Sequence, residues 1–258
     1  EYLMLPVEES ARETSVKVIC GNELVRQLNI RLSMNKVDYY VPMSLEEWNG
    51  RDVRLMMHSS IDRSNVRDAE NELCWSKMFL SANFDKENRE RFRPVFHHTP
   101  EYGWMNDPNG LVYHDGIYEL CYQHNPRGID WNCMTWGHAR GTDLLHWEDL
   151  GDVLEPDANG LMFSGCAIRN DRGLLGLPKD ALLFFYTAAG HSSRESKGKP
   201  YTIRLAYSTD GGKTLIKKDG ICEAGEIMET LAAENRDPKV FWHEESGAYI
   251  LVLWIEDN

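Results

Sequence analysis

No run in the 258 residues is long and apolar enough to cross a membrane, and the amino terminus lacks the pattern of an export signal. Basic residues are the scarcer charge: 28 lysines and arginines stand against 41 aspartates and glutamates, a formal net charge of −13. Phosphate binding needs concentrated positive charge, so a nucleic-acid partner is not expected, whereas a neutral ligand is indifferent to the excess acid. The basic run Lys86-Glu87-Asn88-Arg89-Glu90-Arg91 is interleaved with acids and reads as a solvated face. Close cysteine pairs are also missing: Cys20, Cys74, Cys121, Cys133, Cys166 and Cys222 are too widely spaced for a zinc ribbon or a redox site. They read as mostly buried thiols, with Cys121 and Cys166 acting as small apolar residues; a disulfide stays open if the protein is exported. No cluster of His, Asp and Glu has metal-ligand spacing, so neither a metal nor another cofactor is expected. An initiator methionine is absent too, which suggests a trimmed start, a removed export signal, and a periplasmic or extracellular location.

What is present is ordinary for a globular chain: 42% hydrophobic and 27% charged residues, enough for one large domain or two modest ones. Residues 1–92 read as a separate small unit. Leu28-Asn29-Ile30-Arg31-Leu32 alternates apolar and polar side chains, Val53-Arg54-Leu55-Met56-Met57 begins the same way, and Val37-Asp38-Tyr39-Tyr40-Val41-Pro42 is rich in strand formers. With a turn at Trp48-Asn49-Gly50, these predict a small antiparallel β-sandwich. The charged run from Asp85 to Arg93 is a candidate linker into a second domain spanning 93–258.

From Asn109 onward, strands and turns repeat. Gly110-Leu111-Val112-Tyr113 and Ile117-Tyr118-Glu119-Leu120-Cys121-Tyr122 flank His114-Asp115-Gly116, a hairpin signal. Ala139-Arg140-Gly141-Thr142-Asp143 is echoed by Ala206-Tyr207-Ser208-Thr209-Asp210, a spacing of about 67 residues that accommodates four short strands and their loops. The pattern favours blade-like repetition over a second sandwich, with two blades and part of a third between Asn106 and Asn258.

Trp104-Met105-Asn106-Asp107-Pro108-Asn109-Gly110 sets a carboxylate and two amides between apolar runs. Pro108 fixes its own φ and keeps Asp107 from helical geometry, while Gly110 admits backbone angles closed to other residues. Alone, the Asp-Pro-Asn-Gly core is a turn. It is followed in order by Tyr122-Gln123-His124-Asn125-Pro126, then Trp131, then Met134-Thr135-Trp136-Gly137-His138-Ala139, Phe163-Ser164-Gly165-Cys166-Ala167 and Arg236-Asp237-Pro238. This series resembles the fructosidases of glycoside hydrolase family 32, the invertases, inulinases and levanases, over about Pro100 to Asn258. Two positions depart from the usual pattern: Thr135 stands where histidine is usual, and Cys166 where serine is common. The N-terminal unit is more loosely similar to the extra β-domain preceding some family 32 enzymes of gut Bacteroidetes.

The resemblance implies an all-β chain, a small N-terminal β-sandwich followed by part of a five-bladed β-propeller with its site at the axial funnel. It also implies retaining cleavage of β-fructofuranosidic bonds in sucrose or fructans, which needs one carboxylate to attack the anomeric carbon and a protonated carboxyl about 5 Å away to release the departing oxygen. Asp107 is the implied nucleophile. Asp237 is the implied stabiliser, with Arg236 holding it charged. Asn106, Gln123 and Ser164 are expected to bind hydroxyls, and Trp131 and Phe163 to face the sugar, with Trp104 and Trp136 as further aromatic candidates. His124 and His138 are assigned to structural hydrogen bonds. The family's third carboxylate, a glutamate usually followed by cysteine, is expected beyond Asn258: Glu234 has no such family role, Glu244 and Glu245 sit in a polar turn, and Glu256 matches another acidic turn. The chain alone is therefore expected to be inactive. A noncatalytic carbohydrate-binding relic is the alternative reading. An arabinan-active relative of the same propeller fits less well, because it carries a reduced form of the Asp107 motif.

Overall fold

Alternation of apolar and polar residues builds the first unit. Val16, Val18 and Cys20 point inward from one strand, Leu28 and Ile30 from the next, and the residues between them face out. A computed structural model describes residues 1–58, 73–86, 91–218 and 234–256; Cys222, positions 87–90 of the charged run, Asp257 and Asn258 lie outside the described residues. Strands β1 (Tyr2–Val7), β4 (Tyr39–Ser44) and β6 (Phe79–Ser81) form one antiparallel sheet in the order β4-β1-β6. Strands β2 (Thr14–Cys20), β3 (Glu23–Ile30) and β5 (Val53–His58) form the other, in the order β3-β2-β5. A short helix α1 (Leu73–Lys77) contributes Cys74 to the core of Leu5, Val7, Val18, Ile30, Val41 and Trp48. This is the sandwich expected from the sequence, with β1, β2 and β6 added to the three strands read there.

The second unit is a series of antiparallel meanders. Strands β7 (Trp104–His114), β8 (Ile117–Asn125), β9 (Thr135–Gly141) and β10 (Glu148–Leu154) form one four-stranded sheet in sequence order. Strands β11 (Leu161–Arg169), β12 (Leu182–Ala189), β13 (Thr202–Ser208) and β14 (Ile216–Lys217) form the next, and β15 (Asn235–His243) pairs with β16 (Ala248–Ile255). The expected hairpin joins β7 to β8 with Asp115 at φ 46° and Gly116 at φ 85°, both positive as a two-residue turn matched to the sheet twist requires. The internal echo occupies the same place in both four-stranded sheets, where the third strand turns toward the fourth. Asp143 accepts the N–H groups of Leu145 and His146 there, and Asp210 accepts that of Thr214.

The middle sheet is covered on both faces, which explains why every residue of β12 is buried. Leu182, Phe184 and Tyr186 pack with Cys121, Trp136 and Met162 on one side; Leu183 and Phe185 pack with Cys166, Leu205 and Val240 on the other. Cys20, Cys74, Cys121, Cys133 and Cys166 are all buried free thiols, as expected.

The chain divides into two compact units, but not at one point: 1–91, 101–104 and 125–133 form the first, and 92–100, 105–124 and 134–258 the second.

Within the first four-stranded sheet the fully buried Glu119 lies 2.7 Å from His138 Nε2 and 3.1 Å from His114 Nε2, and accepts a 2.9 Å bond from Arg140 Nη2. Burial pushes its pKa up, but the bonds from His138, Arg140 and His114 outweigh this and hold it below the usual value. A carboxylate with a lowered folded pKa stabilises fully above its unfolded pKa and loses that contribution as pH falls through the folded one. Glu119→Ala, which strands these donors, is expected to cost about 3–5 kcal/mol at pH 7. The deficit should shrink under acid, as denaturant unfolding of the variant at neutral and acid pH will show.

Candidate active site

The candidate site is assembled on the first strands of successive sheets, and each strand breaks its regular pattern where it contributes. On β7, Asp107 is exposed and Pro108, which has no N–H for a ladder, follows it on the strand that ends its sheet. Asn109 turns inward, and its Oδ1 accepts the N–H of Gly165 at 3.2 Å. Gly110 follows at φ 53°, where a Cβ would stand 3.1 Å from Phe184 and 3.2 Å from Trp136. The motif therefore seats its own C-terminal half in the core and leaves Asp107 outside.

On β11 a bulge interrupts the pairing with β12: Phe163 opposes Thr187 and Gly165 opposes Tyr186, so Ser164 is the extra residue. Ser164 Oγ donates to Asp107 Oδ2 at 2.7 Å. Gly165 permits the close approach behind it, since a Cβ there would lie 1.9 Å from the carbonyl oxygen of Phe185. The strand is held from the first sheet as well, by Gln123 Nε2 donating to the Met162 carbonyl at 2.7 Å and by the Trp136 indole donating to that of Phe163 at 3.0 Å.

On β15 a second bulge lies between Arg236 and Lys239, and Asp237 sits in it with φ 59°, a left-handed conformation that Asp tolerates better than most residues. Its N–H donates to Thr187 Oγ1 at 3.1 Å, and that hydroxyl donates to the Ser164 carbonyl at 3.3 Å. A continuous chain thus runs from Asp107 through Ser164 and Thr187 to Asp237. Arg236 Nε is 3.6 Å from Asp237 Oδ2; the guanidinium stacks 3.7 Å above the Trp254 ring and pairs with Glu234.

Burial raises the pKa of Asp237; Arg236 lowers it, and the negative charge of Asp107 adds to the rise. The net shift is upward, so Arg236 does not dominate as expected from the sequence. Its attraction is weakened by a contact longer than a hydrogen bond and by its pairing with Glu234.

Asn106 is half-buried beside Asp107, and Phe163 is half-buried with its ring edge-on to Tyr201 at 5.7 Å. Gln123 is buried and braces β11 from below. Trp131 is 51% exposed on the 125–133 loop, which belongs to the N-terminal unit. Trp136 is fully buried and serves the core rather than a sugar platform. His124 pairs with Asp152 at 2.6 Å and His138 with Glu119, the structural roles expected of them. Thr135 Oγ1 shares Asp152 with His124. Cys166 accepts the Val240 N–H, tying β11 to β15. No group of ligands suited to a metal ion occurs among the described residues. Sequence reasoning missed Thr187, although a threonine closing the apolar run Leu182-Leu183-Phe184-Phe185-Tyr186-Thr187 was a usable signal, and it passed over Asn109 inside the quoted motif.

Residues 97–258 match the family model described as the glycosyl hydrolases family 32 N-terminal domain, and residues 1–96 match one described as a domain of unknown function (DUF4980). A levanase of Bacillus subtilis is 40% identical over 174 residues, covering 66% of this chain and 24% of the levanase. An extracellular exo-inulinase of Aspergillus awamori is 35% identical over 201 residues, covering 70% of this chain and 37% of that protein. The solved fructofuranosidase of Schwanniomyces occidentalis complexed with fructose superposes with a TM-score of 0.54 at 33% identity, over 62% of this chain and 31% of that one. The chain thus spans 24% to 37% of the length of these relatives. It is all-β, a small N-terminal β-sandwich followed by part of a five-bladed β-propeller. No helix among the described residues is long and apolar enough to cross a membrane.

A carboxyl whose folded pKa is raised stabilises the fold below its unfolded pKa and loses that advantage as pH rises through the folded one, so ionised Asp237 is a burden at neutral pH. Asp237→Asn keeps the shape and tolerates the left-handed backbone. It should raise the thermal midpoint at pH 7 and show no gain at about pH 3, where carboxylates are mostly protonated. Scanning calorimetry at the two pH values tests this; a variant destabilised at pH 7 would contradict it.

Proposed function

The chain belongs to glycosyl hydrolase family 32, and from that premise we propose that it carries the nucleophile half of a retaining β-fructofuranosidase acting on sucrose or a fructan. The observation that carries the reading is the hydrogen-bond relay that links Asp107 on β7, through Ser164 in the bulge of β11 and Thr187, to Asp237 in the bulge of β15, with the charge of Asp107 adding to the rise in the pKa of Asp237. Two carboxylates held together at a surface are unfavourable unless a ligand uses both.

In this reading the Asp107 carboxylate attacks the anomeric carbon and forms a fructosyl ester, the bond to the leaving oxygen breaks as a carboxyl group protonates it, and water then cleaves the ester with net retention. Ser164 fixes Oδ2 of Asp107, leaving Oδ1 to attack. Asp237 receives fructosyl hydroxyls, with Asn106, Arg236 and Phe163 around the ring. Glu234, the acid nearest in sequence to Asp237, is engaged by Arg236, so the proton donor is assigned to a carboxyl outside the described residues. The N-terminal sandwich and the propeller portion are treated as two domains, 1–92 and 93–258. The extracellular relative supports a location outside the cell, and the periplasm is the other location proposed. No cofactor enters this mechanism.

In the full-length protein, Asp107→Asn should lower release of fructose from sucrose, inulin and levan by about 10³-fold or more, while circular dichroism stays unchanged. Near-normal turnover would remove Asp107 from the role. Binding of fructo-oligosaccharides without turnover by the unmodified full-length protein would instead identify a carbohydrate-binding relic.

A further inference from the structure

The loop that joins β8 to β9 lies within the residues matched by the catalytic family, yet it folds with the N-terminal unit. Its hold is polar. Arg31 Nη1 reaches Asp130 Oδ2 at 3.3 Å while also pairing with Glu9 at 2.9 Å; Glu13 accepts from Asn132 Nδ2; and Cys133 Sγ donates to the Asn29 carbonyl at 3.1 Å. These contacts bracket Trp131 on both sides in sequence, and the indole itself remains half exposed. The loop also braces itself: Asn125 Nδ2 donates to the Asp130 carbonyl, Asn125 Oδ1 accepts from Arg127, and Cys133 is held at φ 46°. A narrow cleft there is lined by Glu9, Glu13, Arg31, Arg127 and Asp130 among others, so charged side chains surround the attachment of the loop.

We propose that Arg31 and Glu13 of the N-terminal unit are positioning residues for fructan binding, holding the 125–133 loop so that Trp131 presents its ring to the sugar chain. The inference rests on the reading of Trp131 as a sugar-binding residue. It gives the N-terminal sandwich a part in substrate affinity: Trp131 can move with the loop, and the loop is anchored by residues from a different region of sequence. An aromatic platform binds a sugar face only while its orientation is fixed, so loosening the anchor weakens binding without touching a reacting group.

The test uses full-length protein carrying Asp107→Asn, so that binding is read without hydrolysis. Calorimetry with inulin and levan oligosaccharides compares this protein with versions that add Arg31→Ala plus Glu13→Ala. The pair should weaken binding by about three- to tenfold, the effect expected of two partly exposed polar contacts. Trypsin should cut after Arg127 faster in the same variant, and Arg31→Lys with Glu13 intact should restore both readouts. With Trp131→Ala already present, the pair should change affinity no further. Unchanged affinity overturns the proposal whether or not cleavage accelerates, and so does an equal loss of affinity in the Trp131→Ala background. Tight binding by the unmodified full-length protein without turnover would defeat the enzymatic reading alone, leaving this proposal to be judged by the affinity ratios. Absence of binding by every version would defeat both.

Discussion

The extra residue in β11 is the constraint on which the candidate site depends. A regular strand would send Ser164 into the pairing with β12; the bulge turns it toward Asp107 and exposes a carbonyl that Thr187 reaches. Thr187 in turn fixes the backbone of Asp237 in the next sheet. Several sheets are thereby registered by a short relay of hydrogen bonds at the one level where their first strands are irregular. Gly165 makes the irregularity possible, because any side chain there collides with the backbone of β12. Buried side-chain donors from the first sheet complete the frame by binding the carbonyls of Met162 and Phe163 just before the bulge, and each such bond is expensive to lose without a replacement.

This frame concentrates negative charge. Asp237 is partly desolvated near Asp107, and the neighbouring arginine is divided among a carboxylate, a glutamate and an indole. The left-handed backbone of Asp237 adds strain of the kind that persists where surrounding structure over-determines a conformation. Elsewhere the molecule treats its acids differently. Glu119 is surrounded by donors, and Glu8 accepts the backbone N–H groups of Met34, Asn35 and Lys36, which hold its pKa down at about 2. The contrast between these donor-rich structural carboxylates and Asp237, whose pKa is raised by burial and by the charge of Asp107, supports the proposed site.

Much of this was legible in the sequence for identifiable reasons. The Asp115-Gly116 turn demanded positive φ at both positions, and the repeated Ala-x-x-Thr-Asp marked one structural place in two sheets. The seven residues around Asp107 carried the family because their proline and glycine have steric consequences that few other sequences share. Strands β1 and β2 were not flagged, although Val16, Val18 and Cys20 alternate, because polar residues at Thr14, Ser15 and Lys17 dilute the pattern. Tertiary partnerships were out of reach: nothing local joins Thr187 to Asp237, and nothing near Trp131 reveals that Arg31 and Glu13 anchor its loop. Trp136 illustrates the reverse difficulty, since an aromatic residue within a recognised motif proved to be core.

The central claim is that the Asp107 carboxylate becomes bonded to the sugar. A fructosyl donor with fluoride as leaving group departs without a proton donor, so it isolates that step from the rest of the mechanism. Full-length protein is mixed with the donor, quenched in acid within its first turnover, and digested for peptide mapping by mass spectrometry. The account predicts a fructosyl ester on the peptide containing Asp107, absent from Asp107→Asn. Labelling of another carboxylate, or product released with inverted anomeric configuration and no labelled peptide, would contradict it.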